Sequence, residues 1–408
     1  MKHRIEATGL PSYSAGGLQE GAGTCYFAER AAQFYDRDLV TATGAAQKTA
    51  AETFAVPGEG ASLLFMSRAD DIVLARSFPN GERAEADRKI DRLRQHWETC
   101  GIRAGRLDFV DDVHAAAKAA SRAFFLCPPV FSSQVAAIIG DEQARRQREL
   151  IAMLLNKHHA ARQLGDSTVQ AVPGREKLSE LTANQNARWV IKAAVGAGGQ
   201  MVAFGDSRSD IDAVLRDSAA WGDAVFQPYV EGEEYFAFYL IDPELAGPKV
   251  MLEGASDNAA PPRCANSWSK SGDGIGVTAA AGRVFELART WGAAPFVLGQ
   301  DIRGPRQAVI DNNPRWCAYV PMLRLLAEDR GHIKTMKHLR VPASPETAVS
   351  VLLGIEPFAY DGKGGRGVVL CAAPDRPVSA LVLLIVNDGD GEVERGFLQR
   401  FGLAVSPE

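Results

Sequence analysis

Residues 188–205, RWVIKAAVGAGGQMVAFG, restrict the fold of this chain more than any other stretch. Residues 189–194 are apolar and β-branched with a single charge, Lys192, while 195–200 are glycine-rich and 201–204 are apolar again. That order reads strand, glycine loop, strand, which is a hairpin. Walker-type and dinucleotide glycine loops open a helix, whereas this loop returns at once to a strand. Gly196, Gly198 and Gly199 let backbone N–H groups converge on an anion with no Cβ in the way, and Lys192 adds a point charge from the preceding strand. The alternative is a surface hairpin whose turn is simply rich in glycine, and the flanking sequence has to decide between the two.

A chain of 408 residues exceeds what one hydrophobic core serves and suits two or three domains. The formal charge of −5, with basic residues spread along the chain, gives no electrostatic case for nucleic acid. The longest apolar run, 380–386, is too short to span a bilayer, so no membrane partner is expected. Cys25, Cys100, Cys127, Cys264, Cys317 and Cys371 form neither a C-x-x-C pair nor a zinc-finger spacing, and a reducing cytoplasm suits them. The opening MKHRIEATGLPSYS has charge without the apolar region of a secretory signal.

Residues 1–60, rich in Gly, Ala and Ser, suggest no role, although 26–35 has a helical pattern. Beyond them, 61–65, 107–110 and 123–126 read as strands, and 82–99, 113–122 and 132–139 read as helices. This alternation predicts a small parallel sheet with crossover helices over 61–140. No G-x-G-x-x-G follows its first strand, which favours a structural or substrate-side domain. Residues 141–165 read as one charged helix, capped by Asp141 and stopped by Gly165, with Lys157 in its second half. His158 and His159 are adjacent, point about 100° apart on a helix and read as surface residues.

Downstream of the glycine hairpin, 207–218 reads as a helix, 224–230 as a strand, 231–234 as a turn and 235–241 as a strongly β-prone strand. Glu234, at the mouth of that aromatic strand, is the acid of the turn placed to face a ligand. Short strands and loops follow at 250–253, 265–270 and 274–277, then a helix at 280–291.

A second hairpin is expected from FVLGQDIR (296–303) and QAVIDNN (307–313) around Gly304 and Pro305. A carboxylate inside an apolar strand is costly to bury without a cation or a donor. Strand alternation puts Asp311 and Asn313 on one face, and the hairpin brings Asp301 beside them. Two carboxylates and an amide oxygen are hard ligands of the kind Mg²⁺ takes together with phosphate oxygens. Arg315 would extend that face with a planar fork for phosphate or carboxylate. The competing arrangement is an ion pair between Arg315 and an aspartate that closes the sheet edge.

Together these pieces resemble the ATP-grasp superfamily over roughly residues 157–315. The resemblance rests on Lys157 on a leading helix, VIKAAVGAGG, the linker strand QPYVEGEE, and the paired strands GQDI and VIDNNPR, in that order. It implies a mixed α/β (α+β) ATP-grasp fold. The expected layout is an N-terminal segment 1–60, a pre-ATP-grasp α/β domain 61–140, an ATP-grasp core 141–330 and a small C-terminal domain 331–408.

By resemblance, Lys157 and Lys192 contact ATP phosphates and Gly196, Gly198, Gly199 and Gln200 belong to a mobile flap. Gln227, Tyr229 and Val230 match the linker that reads adenine, and Glu234 the acid on the ribose hydroxyls. Asp301, Asp311 and Asn313 match Mg²⁺ ligands, while Arg315, with Lys192, serves the reacting phosphoryl group. Asp301 and Asp311 stand where glutamates are commoner, and Gln227 replaces the usual linker acid.

The domain order also resembles ATP-grasp ligases of peptide-type natural-product pathways, pheganomycin-type peptide ligases among them. The implied activity is ADP-forming ligation of a carboxylate to an amine through an acyl phosphate, in the cytoplasm, with amino acids, peptides or a carrier protein as substrates. Thioester formation and a non-catalytic nucleotide module are the alternatives. The resemblance implies a homodimer. Candidate substrate contacts are Arg263, Trp268 and Lys270. The glycines at 362, 364, 365 and 367 read as a hairpin turn.

Overall fold

A computed structural model of the chain describes residues 4–5, 11–12, 25–27, 64–65, 72–76, 83–110, 123–125, 142–165, 172–173, 188–194, 202–205, 224–257, 264–270, 274–304, 307–314, 320–329, 331–372 and 380–403. The first strands, β1 (Arg4–Ile5) and β2 (Pro11–Ser12), form a short antiparallel pair. Next come β3 (Cys25–Phe27), β4 (Ile72–Arg76), helix α1 (Arg83–Thr99), β5 (Arg106–Val110) and β6 (Ala123–Phe125). These four strands pair in parallel in the order β5-β4-β3-β6, as alternation predicts. Its members are partly different, however. Residues 64–65, expected in a strand, are helical, and the strand lies at β4; the helical pattern at 26–35 begins instead with β3. Short apolar runs satisfy either period, and the pairing partner decides. The expected helices at 113–122, 132–139 and 207–218 lie outside the described residues.

The single helix expected over 141–165 is two, α2 (Glu142–Leu155) and α3 (Lys157–Leu164). Asn156 breaks the run with extended backbone (φ −79°, ψ 107°), and its side chain accepts from the His158 and His159 N–H groups, an N-cap that opens the second helix. Gly165 ends it, as expected.

The glycine-rich stretch supplies β8 (Trp189–Ala193) and β9 (Val202–Gly205), which pair antiparallel. With β7 (Val172–Pro173) and β10 (Ala224–Pro228) they form a four-stranded sheet in the order β7-β10-β8-β9.

The main sheet begins at β11 (Glu234–Ile241), β12 (Lys249–Asp257) and β13 (Cys264–Ser269), continues after helix α4 (Ala279–Trp291) with β14 (Phe296–Arg303) and β15 (Ala308–Asn313), and is followed by α5 (Val320–Glu328). It then takes in β16 (Thr335–Pro342), β17 (Gly367–Ala372) and β18 (Ala380–Val386), with α6 (Pro345–Gly354) and α7 (Glu392–Arg400) between and after them. The order is β15-β14-β11-β12-β13-β16-β18-β17, antiparallel throughout, so one sheet runs across the residue-330 boundary. Residues 361–366 approach β17 from an isolated bridge at Ala359 rather than from a strand, so the expected hairpin turn is a loop, tied by Asn387 Nδ2 to the Gly364 and Gly365 carbonyls.

Strand alternation divides the core. Phe236 and Phe238 of β11 enter a cluster with Leu93 and Trp97 of α1 and Met322 of α5, while Ala237, Tyr239 and Ile241 pack with Leu154 of α2, Ala160 of α3 and Phe285 of α4. Helix α1 docks on β17 by paired hydrogen bonds: Trp97 Nε1 donates to the Leu370 carbonyl at 2.7 Å, and Leu370 N donates to His96 Nε2 at 2.9 Å. No helix among the described residues is long and apolar enough to cross a membrane.

Candidate active site

The edge of the main sheet gathers the polar residues. In register, Phe236 of β11 faces Asp301 of β14, and Asp301 faces Asp311 of β15, so the two aspartates share a face. Asn313 joins them, its Nδ2 donating to Asp301 Oδ2 at 3.2 Å. The sequence expectation for these three residues therefore describes their actual neighbourhood.

Two lysines reach the same edge from other elements. Lys157 Nζ pairs with Asp311 Oδ1 at 3.0 Å, with side chains 11% and 22% exposed. Lys192 Nζ, from the other sheet, donates to the Ile310 carbonyl at 3.0 Å. A backbone bond from Lys157 N to the Ala194 carbonyl, 2.8 Å, ties the start of α3 to the end of β8 and so holds the lysines side by side. The helix break at Asn156 frees that N–H, which an unbroken helix would have spent on its own fourth preceding carbonyl. Lys157 is thus a cationic partner of Asp311; Arg315, the expected alternative, lies outside the described residues.

Lys192 is buried, and its pKa is lowered from the ordinary 10.5, chiefly because burial strips hydration from the ammonium; Asp311 opposes the shift and Lys157 adds to it.

The donor set fits a hard divalent cation. Asp301 and Asp311 offer carboxylates and Asn313 an amide, on adjacent positions of one hairpin. Among the described residues no three His, Cys, Asp or Glu side chains gather in a metal-holding group. An ion here would complete its shell with water and phosphate oxygens, which is how Mg²⁺ is usually held.

The end of β10 carries Gln227, which is buried, and the linker that follows it carries Tyr229 and Val230, which are half-buried. Gly304, at φ +74° in the β14–β15 turn, brings that turn against the linker: its N–H donates to the Glu233 carbonyl, and a Cβ there would lie 2.6 Å from the Glu231 carbonyl oxygen. Glu234 is paired with Arg303, Nη2 to Oε2 at 2.8 Å. The Arg303 guanidinium lies 5.2 Å from the Tyr229 ring, and that of Arg188 lies 4.4 Å from the same ring. Arg188 and Arg303 are neighbours of the candidate residues Tyr229 and Glu234 that sequence reasoning missed. The register of the β11–β14 pair was the signal for Arg303, and no local pattern announces it.

Behind the aspartates, on the opposite face, Thr278 Oγ1 donates to Gln300 Oε1 (2.6 Å) and Gln300 Nε2 to Asn312 Oδ1 (2.7 Å). Thr278 also caps α4 by accepting from Ala281 N. This buried chain links the start of α4 to the middle of the Asp311–Asn313 segment.

Two of the three candidate substrate contacts are among the described residues. Trp268 is half-buried against the core, facing Met336 across β13–β16, and Lys270 is exposed. Gly196, Gly198, Gly199, Gln200 and Arg263 lie outside the described residues.

The architecture is shared with solved structures. An ADP complex of N5-carboxyaminoimidazole ribonucleotide synthetase matches with a TM-score of 0.54 at 11% identity, over 95% of this chain and 97% of that one. The ADP-bound Staphylococcus aureus N5-carboxyaminoimidazole synthetase gives 0.53 at 9%, over 95% and 98%. The N5-carboxyaminoimidazole ribonucleotide synthetase of Thermus thermophilus gives 0.52 at 13%, over 86% and 99%. The fold is ATP-grasp. Within this fold Lys192 of the four-stranded sheet and Lys157 of α3 meet the aspartate hairpin at the β15 edge of the main sheet. No protein-family model and no curated protein matches the sequence.

Proposed function

We propose that the chain is an ATP-dependent, ADP-forming carboxylate–amine ligase that works through an acyl phosphate on amino acids or peptides. The observation that supports this best is the convergence of Lys157 and Lys192, from separate elements, on the strand that presents Asp311 and Asn313 beside Asp301. Such a set neutralises and orients a polyphosphate while offering no nucleophile, which suits phosphoryl transfer between two bound substrates. Two of the structures it resembles hold ADP, which supports a nucleotide in the cleft.

In this reading Lys157 and Lys192 hold phosphate oxygens, and residues 196–200, with Gly196, Gly198, Gly199 and Gln200, close over them to exclude water. Gln227, Tyr229 and Val230 border the base, and Glu234 accepts from the ribose hydroxyls. Asp301, Asp311 and Asn313 hold Mg²⁺, which when bound supplies charge neutralisation at the phosphates. Arg315 steadies the transferred group.

A carboxylate oxygen of the first substrate attacks the γ-phosphorus, the bond to the β–γ bridging oxygen breaks, and ADP leaves. The amine of the second substrate then attacks the acyl carbon, phosphate departs, and the amine proton passes to solvent. The order of domains extends the proposal to peptide-type natural-product biosynthesis.

The test is ADP and phosphate release against panels of carboxylates, amino acids, peptides and thiols, with product mass as readout. Release that requires an amine, with a condensed product, is expected. Thiol-dependent release would point to thioester formation, and tight ATP binding without turnover to a nucleotide module; either result contradicts the ligase.

A further inference from the structure

We infer that Arg303 is the positioning residue for Glu234 and thereby sets how strongly the site prefers a ribonucleotide to a 2′-deoxyribonucleotide. The inference rests on the nucleotide reading above and concerns a residue to which that reading gives no part.

Glu234 and Arg303 face each other in register across β11 and β14, on the face that carries Asp301 two residues away. The Nη2–Oε2 contact is 2.8 Å, and both side chains are largely withdrawn from solvent. Arg303 is in turn held from its other side: its guanidinium lies 5.2 Å from the Tyr229 ring, and the linker carrying Tyr229 is pinned to the turn that follows Arg303 at Gly304. A planar guanidinium fixed at two points can fix a carboxylate in turn.

A purely structural strap between two strands is the competing explanation. A shielded ion pair is no more stabilising than apolar side chains of similar volume, and the neighbouring position on β11 is filled by Phe236. Moreover, Arg303 Nε is buried with no acceptor among the described residues.

Recognition of hydroxyl groups supplies a reason for the arginine. A glutamate has three side-chain torsions to immobilise before it can accept from two ribose hydroxyls, and a carboxylate already locked loses less freedom on binding. Hydrogen bonds to an ionised acceptor are strong, so loss of the 2′-hydroxyl lowers affinity by about tenfold or more when the carboxylate is held in place. With Glu234 released, the two nucleotides converge in affinity.

The experiment is calorimetric binding of ATP and 2′-deoxy-ATP, with Mg²⁺, to the full chain as wild type, Arg303→Met, Arg303→Lys and Glu234→Gln. Wild type should prefer ATP by about tenfold, Arg303→Met should bring the ratio within about twofold, and Arg303→Lys, which keeps the charge without the fork, should fall between. In the Glu234→Gln background, Arg303→Met should leave the ratio unchanged. The lysine variant keeps the carboxylate compensated should the methionine variant fail to fold. Wild-type preference in both Arg303 variants, or no preference in wild type, overturns the positioning role while leaving nucleotide binding intact. Failure of wild type to bind ATP overturns both.

Discussion

Burial opposes a charge on Lys192, and a pH dependence follows. Its pKa lies below the ordinary 10.5 in the folded chain and returns there on unfolding. Between those two values the unfolded chain binds more protons, so this residue makes stability rise with pH across that window. Affinity for ATP should move the other way, weakening as Lys192 loses its proton below pH 10.5. Lys192→Met should weaken ATP binding by about tenfold or more, measured by calorimetry at pH 7.5, and an unchanged affinity would remove Lys192 from the phosphate site. Lys192 was legible in the sequence because a lone charge in an apolar strand before a glycine loop needs a purpose. Its partner was not, since the Ile310 carbonyl is 118 residues away and nothing local encodes that distance. Asn156 is the opposite case. The signal, an N-cap residue inside a helical run, was present, but the apolar period continues through it and masks the break.

The β14–β15 hairpin is the element that sequence reads best. Its turn residues and alternation fix both the strands and the facing of Asp301 and Asp311. The same alternation sends Gln300 and Asn312 to the opposite face, yet their connection to Thr278 depends on where α4 packs, which no pattern within the hairpin reveals. Replacing Gln300, which is fully buried, with leucine removes the bonds that it makes to Thr278 and Asn312. The expected loss is about 3 kcal/mol of stability in urea unfolding, together with a higher Mg²⁺ concentration for half-maximal turnover, because Asn312 sits between the two proposed ligand positions of β15. Retention of both values would show that the amide chain does not hold the hairpin.

At the scale of the whole molecule, the parallel sheet and the ATP-grasp core were both expected, whereas the continuity of β16, β17 and β18 with the main sheet was not. Strand pairs such as Cys264–Arg340 join residues far apart in sequence, and β-propensity alone gives no address. The docking of α1 on β17 is likewise long-range, and it carries a testable acid limb. Burial lowers the pKa of His96 from 6.5 to about 4, and protonation would also remove its acceptor nitrogen from Leu370 N. Stability from this group is complete above pH 6.5 and is lost as pH falls toward 4, amounting to about 3 kcal/mol for the full shift. Buried His338, lowered to about 3, acts in the same direction. Urea midpoints at pH 7.5 and 5.0 should differ less in His96→Gln than in wild type, and equal pH dependence would remove His96 from the acid limb.

The proposed function has the lysines, the aspartates and the two sheets act together on a metal-bound nucleotide. Mg²⁺-dependent ADP release by Asp311→Ala, beside wild type and with both proteins shown to be folded, measures this most directly. A loss of turnover to background is the predicted result, and near-normal ADP release by the variant would contradict it.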